Sequence, residues 1–214
     1  MRTMINERKT IADRLDQFGQ VVYARLAPAF RAIGMPYPPG KITLIGSKAE
    51  RILEVWVSES GGQWKHLKSY PILGMSGGPG PKLKEGDRQV PEGIYQIESL
   101  NPNSRYHLAL RVNYPNQEDL RRAKKDGRSD PGSDIMIHGK DRSIGCLAMG
   151  DQAAEDLFIL AENTGIRNIT VILAPADFRI KPLPPDIPSK PMWTIELYMT
   201  IKKELETRKK TVRN

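Results

Sequence analysis

Apolar residues recur at Ile11, Leu15, Phe18, Val22, Leu26, Ala29 and Ile33, in steps of three and four. That spacing lays one stripe along a helix and predicts a helix over residues 5–33. Gly34 and the run Pro36-Tyr37-Pro38-Pro39-Gly40 stop it. From Lys41 the period shortens. Ile42-Thr43-Leu44-Ile45 is a short strand, and the runs 52–57 and 64–72 flank Ser60-Gly61-Gly62-Gln63 as a hairpin does. Ile94-Tyr95-Gln96-Ile97 follows the turn Val90-Pro91-Glu92-Gly93, and His107 to Val112 alternates as a half-buried strand.

Residues 115–133 are polar, charged and glycine-bearing, and read as a mobile basic loop with room for one helical turn. Asp134 to His138 is the next strand, with Ile135 and Ile137 on one face and Met136 and His138 on the other. Asp151 is placed to cap a helix carrying Ala154, Leu157, Phe158 and Ala161, which Gly165 closes. Asn168 to Leu173 is a β-branched run suited to a buried strand. Pro182, Pro184, Pro185, Pro188 and Pro191 impose extended backbone, and Trp193, Leu197, Ile201 and Leu205 then predict an amphipathic helix whose end, Arg208 to Asn214, is frayed and solvated.

Short strands, few helices and no βαβ alternation predict an α+β fold. It is mainly β, a mixed or antiparallel sheet with an amphipathic helix at each end. Three stretches are expected: a helical segment over 1–38 packed on the main domain, the main domain over 41–179, and a proline-rich segment with its helix over 180–214.

Composition narrows the function. The chain has 214 residues, 39% hydrophobic and 27% charged, with mean hydropathy −0.48, the profile of a globular chain with a core. No run approaches the ~18 apolar residues that span a bilayer. Met1 to Lys9 has neither an apolar core nor a small-residue cleavage site, so it does not read as a secretory signal. The net charge is +8, concentrated at Arg121 to Arg128 and from Lys202 to Arg213. Neither cluster is interleaved with aromatics and no nucleic-acid motif is present, which argues against nucleic acid as a partner. The 121–128 cluster reads as a solvated face, with a lid over a groove as the alternative.

Chemistry gathers at the single cysteine. His138 ends an apolar strand, a polar loop follows, and Ser143-Ile144-Gly145-Cys146 closes the segment. A thiol near an imidazole is the minimum equipment for acyl transfer. Gly139 and Gly145 leave room for substrate and for N–H donors aimed at an oxyanion. The helix expected near Asp151 would help hold a thiolate. His66 and His107 stand in strand-like runs without ligand spacing, so no metal site is expected. Gly74-Met75-Ser76-Gly77-Gly78 lacks a phosphate-loop ending.

The pair His138-Gly139 and Ser143-Ile144-Gly145-Cys146 resembles the signature of the YkuD-type L,D-transpeptidases, in the YafK-like branch. Gly80 to Tyr95, Asn101 to Ser104, Val112 to Asn116 and Ala148 to Asp151 are similar as well, so the resemblance covers roughly residues 42–179. It implies Cys146 as nucleophile, His138 as base, and the Gly139 carbonyl as the group that orients the imidazole. It further implies backbone N–H groups around Gly145 and Cys146 as an oxyanion hole, with Ser143 shaping the loop. The implied substrate is a peptidoglycan stem peptide: a thioester forms at the diaminopimelate carbonyl, D-alanine leaves, and an amine resolves the thioester. The place of action is then the periplasm or cell envelope, with no cofactor and no metal. The family often carries histidine where Ile144 stands and arginine where Ala148 stands. Arg142, Arg88, Arg111 and Asn113 are therefore the candidates for binding substrate. Two alternatives stay open: a hydrolase that cleaves lipoprotein from peptidoglycan at the same diaminopimelate bond, and a non-catalytic wall-binding module that uses the basic patches.

Overall fold

In the computed structural model, which describes residues 8–184 and 190–209, apolar strands form one sheet with helices on both faces. The described elements are, in chain order, α1 (Ile11–Ala32), β1 (Lys41–Ser47), β2 (Ile52–Ser58), β3 (Lys65–Pro71), β4 (Gly93–Ser104) and β5 (His107–Val112). They continue with α2 (Gln117–Lys125), β6 (Met136–His138), β7 (Leu147–Ala148), α3 (Asp151–Thr164), β8 (Ile169–Ala174) and α4 (Trp193–Glu206). The sheet order is β3-β2-β1-β8-β4-β5-β6-β7. The β1·β8 and β6·β7 pairs are parallel and the others antiparallel, which makes the fold α+β with a mixed sheet.

The central strands read as continuous apolar runs because both of their faces are covered. On one side, Val22, Leu26 and Phe30 of α1 and Leu157, Phe158 and Leu160 of α3 pack with Leu44, Val55, Leu108 and Val171. On the other, Leu197, Tyr198, Ile201 and Leu205 of α4 pack with Ile45, Trp56 and Ile172. Phe158 is fully buried, so truncating it to alanine would cost about 3–5 kcal/mol. A buried carboxylate fixes the first face: Asp156 pairs with Arg25 at 2.7 Å and accepts from the Tyr70 hydroxyl at 2.9 Å.

β4 is the pivot. Its first half pairs with β8 and its second half with β5, across two register shifts. It runs on through Asn101-Pro102-Asn103, well past the expected Ile97, because this half is paired with β5, Asn101 with Ala109 and Ser104 with His107.

Three expectations change. Residues 117–125 form a full helix rather than a mobile loop. Asn116 and Asp119 make a capping box, and Arg122 is buried with its guanidinium over the Trp193 ring at 4.8 Å. Asp151 does not cap α3: the cap position is Gly150, in left-handed backbone, and the Asp151 carboxylate turns instead to Lys140. Arg208 is not frayed. It is buried, donates to Thr43 Oγ1 at 3.0 Å and lies over the Trp64 ring. Pro185 and Pro188 of the expected extended segment, residues 210–214 and the first seven residues lie outside the described residues. Among the described residues no helix is long and apolar enough to cross a membrane.

Candidate active site

Two short parallel strands bring the sequence candidates together. Ile137 pairs with Leu147 and His138 with Ala148, which sets Cys146 beside Met136 at the head of β7. Ile135 and Ile137 are buried in the core, and that anchors β6 so that its other face is presented to a cleft. The cleft, about 680 Å³, is lined by His138, Cys146, Ser143, Ile144, Asp141 and Arg142, with Arg51, Leu73, Gly74, Met75 and Tyr106 across from them.

His138 is held firmly. Its Nδ1 lies 2.6 Å from the Gly139 carbonyl oxygen, which makes Nδ1 the protonated nitrogen and leaves Nε2 as the acceptor. The Tyr106 ring covers the imidazole at 4.5 Å between centroids. The carbonyl is itself fixed: Met149 N–H donates to His138 O and Gly150 N–H to Lys140 O, both at 2.8 Å. Asp151 accepts from Lys140 N–H at 2.9 Å and from its ammonium at 2.7 Å. A Cβ on Gly139 would meet Asp151 Oδ1 at 2.6 Å and Tyr106 O at 2.7 Å, so only glycine fits. Burial pushes the imidazole below its ordinary value, and the bond to Gly139 opposes that in part.

Cys146 is half-buried and held by weaker contacts. Its sulfur accepts from Met136 N–H at 3.3 Å and donates to the Asp134 carbonyl at 3.4 Å. His138 is not among its hydrogen-bond partners. Burial pushes the thiol up, outweighing the Met136 N–H and the Ser143 contact that pull it down. Both shifts favour a thiol beside a neutral imidazole.

The N–H groups expected to form an oxyanion hole are both engaged. Gly145 N–H donates to Ser76 Oγ at 2.8 Å and Cys146 N–H to Ser143 Oγ at 2.9 Å. Gly145 has φ +87, which sets this tight turn. Ser76 arrives because the glycine-rich loop runs along β7: Gly74 bridges to Ala148, and a Cβ there would overlap the Asp141 carbonyl.

Of the four expected substrate-binding residues, Arg142 alone lines this cleft. Arg88 contributes its backbone carbonyl, which accepts from Ser76 Oγ at 2.7 Å, and its side chain does not line the cleft. Arg111 is paired with Glu98 at 2.7 Å and Asp134 at 2.6 Å. Asn113 Oδ1 accepts from Gln96 N–H, and Asn113 faces a separate groove of about 590 Å³. Arg51, Tyr106, Ser76 and Asp134 are the site residues that the sequence did not single out. The one signal that could have found any of them was the glycine-rich loop around Ser76, since glycines permit close backbone approach. His66 and His107 stay outside the cleft. His66 contacts Ser69 Oγ, and His107 pairs with Glu155 Oε1 at 3.0 Å.

Comparison with known proteins follows the same segment. The family model for the L,D-transpeptidase catalytic domain, YkuD, matches residues 42–172. Proteins of Escherichia coli strains K12 and O157:H7, both named "Putative L,D-transpeptidase YafK", are 40% identical over 113 residues. That match covers 52% of this chain and 43% of each relative, so the chain spans less than half the length of the curated relatives it matches. Among solved structures, a mutant of the helical cell shape determining protein Pgp2 from Campylobacter jejuni superposes with a TM-score of 0.50 at 22% identity. It covers 71% of this chain and 55% of that one, and the likeness is one of fold.

Proposed function

Because the chain belongs to the family of YkuD-type L,D-transpeptidase catalytic domains, we propose that it transfers an acyl group of a peptidoglycan stem peptide through Cys146, in the periplasm or cell envelope. The observation that carries this reading is the shared cleft of His138 and Cys146, with the imidazole fixed by the Gly139 carbonyl so that Nε2 is free to take a proton. The sulfur first leaves the Asp134 carbonyl and gives its proton to His138 Nε2 as it adds to the diaminopimelate carbonyl. The imidazolium then protonates the departing D-alanine nitrogen as the C–N bond breaks, which leaves a thioester on Cys146. An acceptor amine attacks that thioester, surrenders a proton to His138, and the thiolate that departs recovers the proton.

The developing oxyanion displaces Ser143 Oγ from the Cys146 N–H, and the freed hydroxyl can turn to donate. Arg142 and Arg51, both on the cleft walls, are the cations placed to meet a substrate carboxylate. Ala148 cannot take that part, since it is fully buried in β7. Ala148, standing where the family often carries arginine, supports a second reading, in which water resolves the thioester and the chain releases a lipoprotein or stem peptide as a hydrolase.

Product analysis separates the two. Incubation with a defined disaccharide-tetrapeptide is expected to release D-alanine and, with an acceptor amine, to yield a crosslinked product. A tripeptide alone would favour hydrolysis. Full D-alanine release by Cys146→Ala would overturn both readings, and sacculus binding without turnover, unchanged by that substitution, would leave a wall-binding module.

A further inference from the structure

Arg111 was expected at the substrate, and the structure gives it another place. It bridges two carboxylates, Glu98 at 2.7 Å and Asp134 at 2.6 Å. Its position on β5 is opposite Met136 on β6, so the bridge runs along the strand pair that carries the Cys146 contacts. Asp134 is the unusual member. It has φ +57, a left-handed conformation that costs a non-glycine residue energy unless its surroundings hold it. In that conformation its carbonyl accepts the Cys146 S–H at 3.4 Å while its carboxylate reaches back to Arg111. One residue thus touches the sulfur through its backbone and the guanidinium through its side chain.

We infer that Asp134, through its carbonyl bond to the S–H and the charge of its carboxylate, is a positioning residue that favours Cys146 as a protonated thiol in the resting cleft, with Arg111 offsetting that charge. The inference rests on the proposed role of Cys146 and extends it. The carbonyl accepts from S–H and has no hydrogen to donate to a thiolate, so it favours the protonated form. The carboxylate adds a nearby negative charge that disfavours a second one, and Arg111 partly offsets it. The other charged groups around the sulfur are Lys82 from the 80–92 loop, paired to Asp87 at 2.8 Å, and Arg51, Asp141, Arg142 and His138 of the cleft. Asp134 is the one of these bonded to the sulfur. Substrate, on entering, must draw the proton away from Asp134 and toward His138.

The test is the rate of Cys146 alkylation by iodoacetamide across neutral to alkaline pH, a reading of thiol reactivity that needs no turnover. Asn tolerates left-handed backbone, so Asp134→Asn keeps the carbonyl in place and removes the charge. It is expected to alkylate about threefold faster below the thiol midpoint. Arg111→Gln keeps an N–H for the Asp134 carboxylate and removes the neutralising charge, and is expected to alkylate about threefold slower. A merely structural role would move both variants the same way. Equal rates in wild type and both variants, or shifts of the same sign, would overturn the inference. Asp134→Gly accepts the same backbone angle and is expected to match Asp134→Asn, which gives a second reading if the asparagine variant folds poorly. Failure of this test leaves D-alanine release and its dependence on Cys146 untouched, so the two readings fail separately.

Discussion

His138 and Cys146 stand on adjacent strands and face one cleft, yet the fold holds them by different means. The imidazole is over-determined. A 2.6 Å bond to Gly139 fixes its tautomer, the Tyr106 ring covers it, and Asp151, Met149 and Gly150 fix the carbonyl that fixes it. The sulfur has two long contacts, at 3.3 and 3.4 Å, and neither is to His138. A base must be aimed before substrate arrives, because a misplaced proton acceptor costs rate at every turnover. A nucleophile has to move onto the substrate carbon, and weak contacts let it go.

That contrast sets the expected size of each perturbation. Removing the nucleophile with Cys146→Ala should lower D-alanine release by about 10⁴-fold or more. His138→Gln should cost about 10³-fold while leaving Cys146 alkylation at high pH intact, which separates the two roles. Gly139→Ala should cost about 10²-fold in kcat, since a Cβ collides with the Tyr106 backbone at 2.7 Å and shifts the carbonyl that aims the imidazole. Asp151→Ala acts at one remove. It should cost roughly tenfold in kcat and about 1 kcal/mol in urea unfolding, and Asp151→Asn, which keeps an acceptor for Lys140 N–H, should recover most of the rate. A loss of stability with no change in kcat would show that the clamp serves the fold and not the base.

The pH dependence follows from the two shifts. In the proposed role of base His138 must be neutral, and burial holds its pKa below the ordinary 6.5. Activity should therefore persist to lower pH than an exposed histidine allows, and fall as pH drops through that depressed value. The same group binds fewer protons folded than unfolded. Its contribution to stability thus declines as pH falls through the unfolded value near 6.5. At the small end, Arg121→Ala should leave both the urea unfolding midpoint and turnover unchanged. Its partner is Glu118 on its own helix face, and the pair is exposed.

Much of this contrast was legible from the sequence, and the illegible part has a physical reason. The strand ending at His138 and the Ser-x-Gly-Cys turn are local features, and local features carry their own pattern. The stripe of α1 and the buried run of β8 were visible for the same reason. α2 was hidden because its face carries Arg122 and Ala123 rather than a broad apolar stripe, and a buried arginine over Trp193 is invisible until two segments far apart in the chain meet. β7 is two residues long and has no periodicity to detect. Asp151 looked like a cap because aspartate before an apolar run usually is one, and only the fold reveals Lys140 beside it. Arg111 looked like a free cation until β4 and the backbone turn at Asp134 supplied its two carboxylates. Residues that act by touching something distant in sequence were the ones missed.

The two shifts predict that the pair rests as neutral thiol and neutral imidazole and becomes charged only with substrate in the cleft. Cys146 is the chain's single cysteine, so the ultraviolet difference between the protein and its Cys146→Ala variant, in which the seven tyrosines cancel, reports that one thiolate. Titrating the unliganded protein should show no thiolate near pH 7 and a midpoint above the ordinary thiol value of 9.0. A thiolate already formed at about pH 7, and lost in His138→Gln, would mean a resting ion pair and would contradict the account.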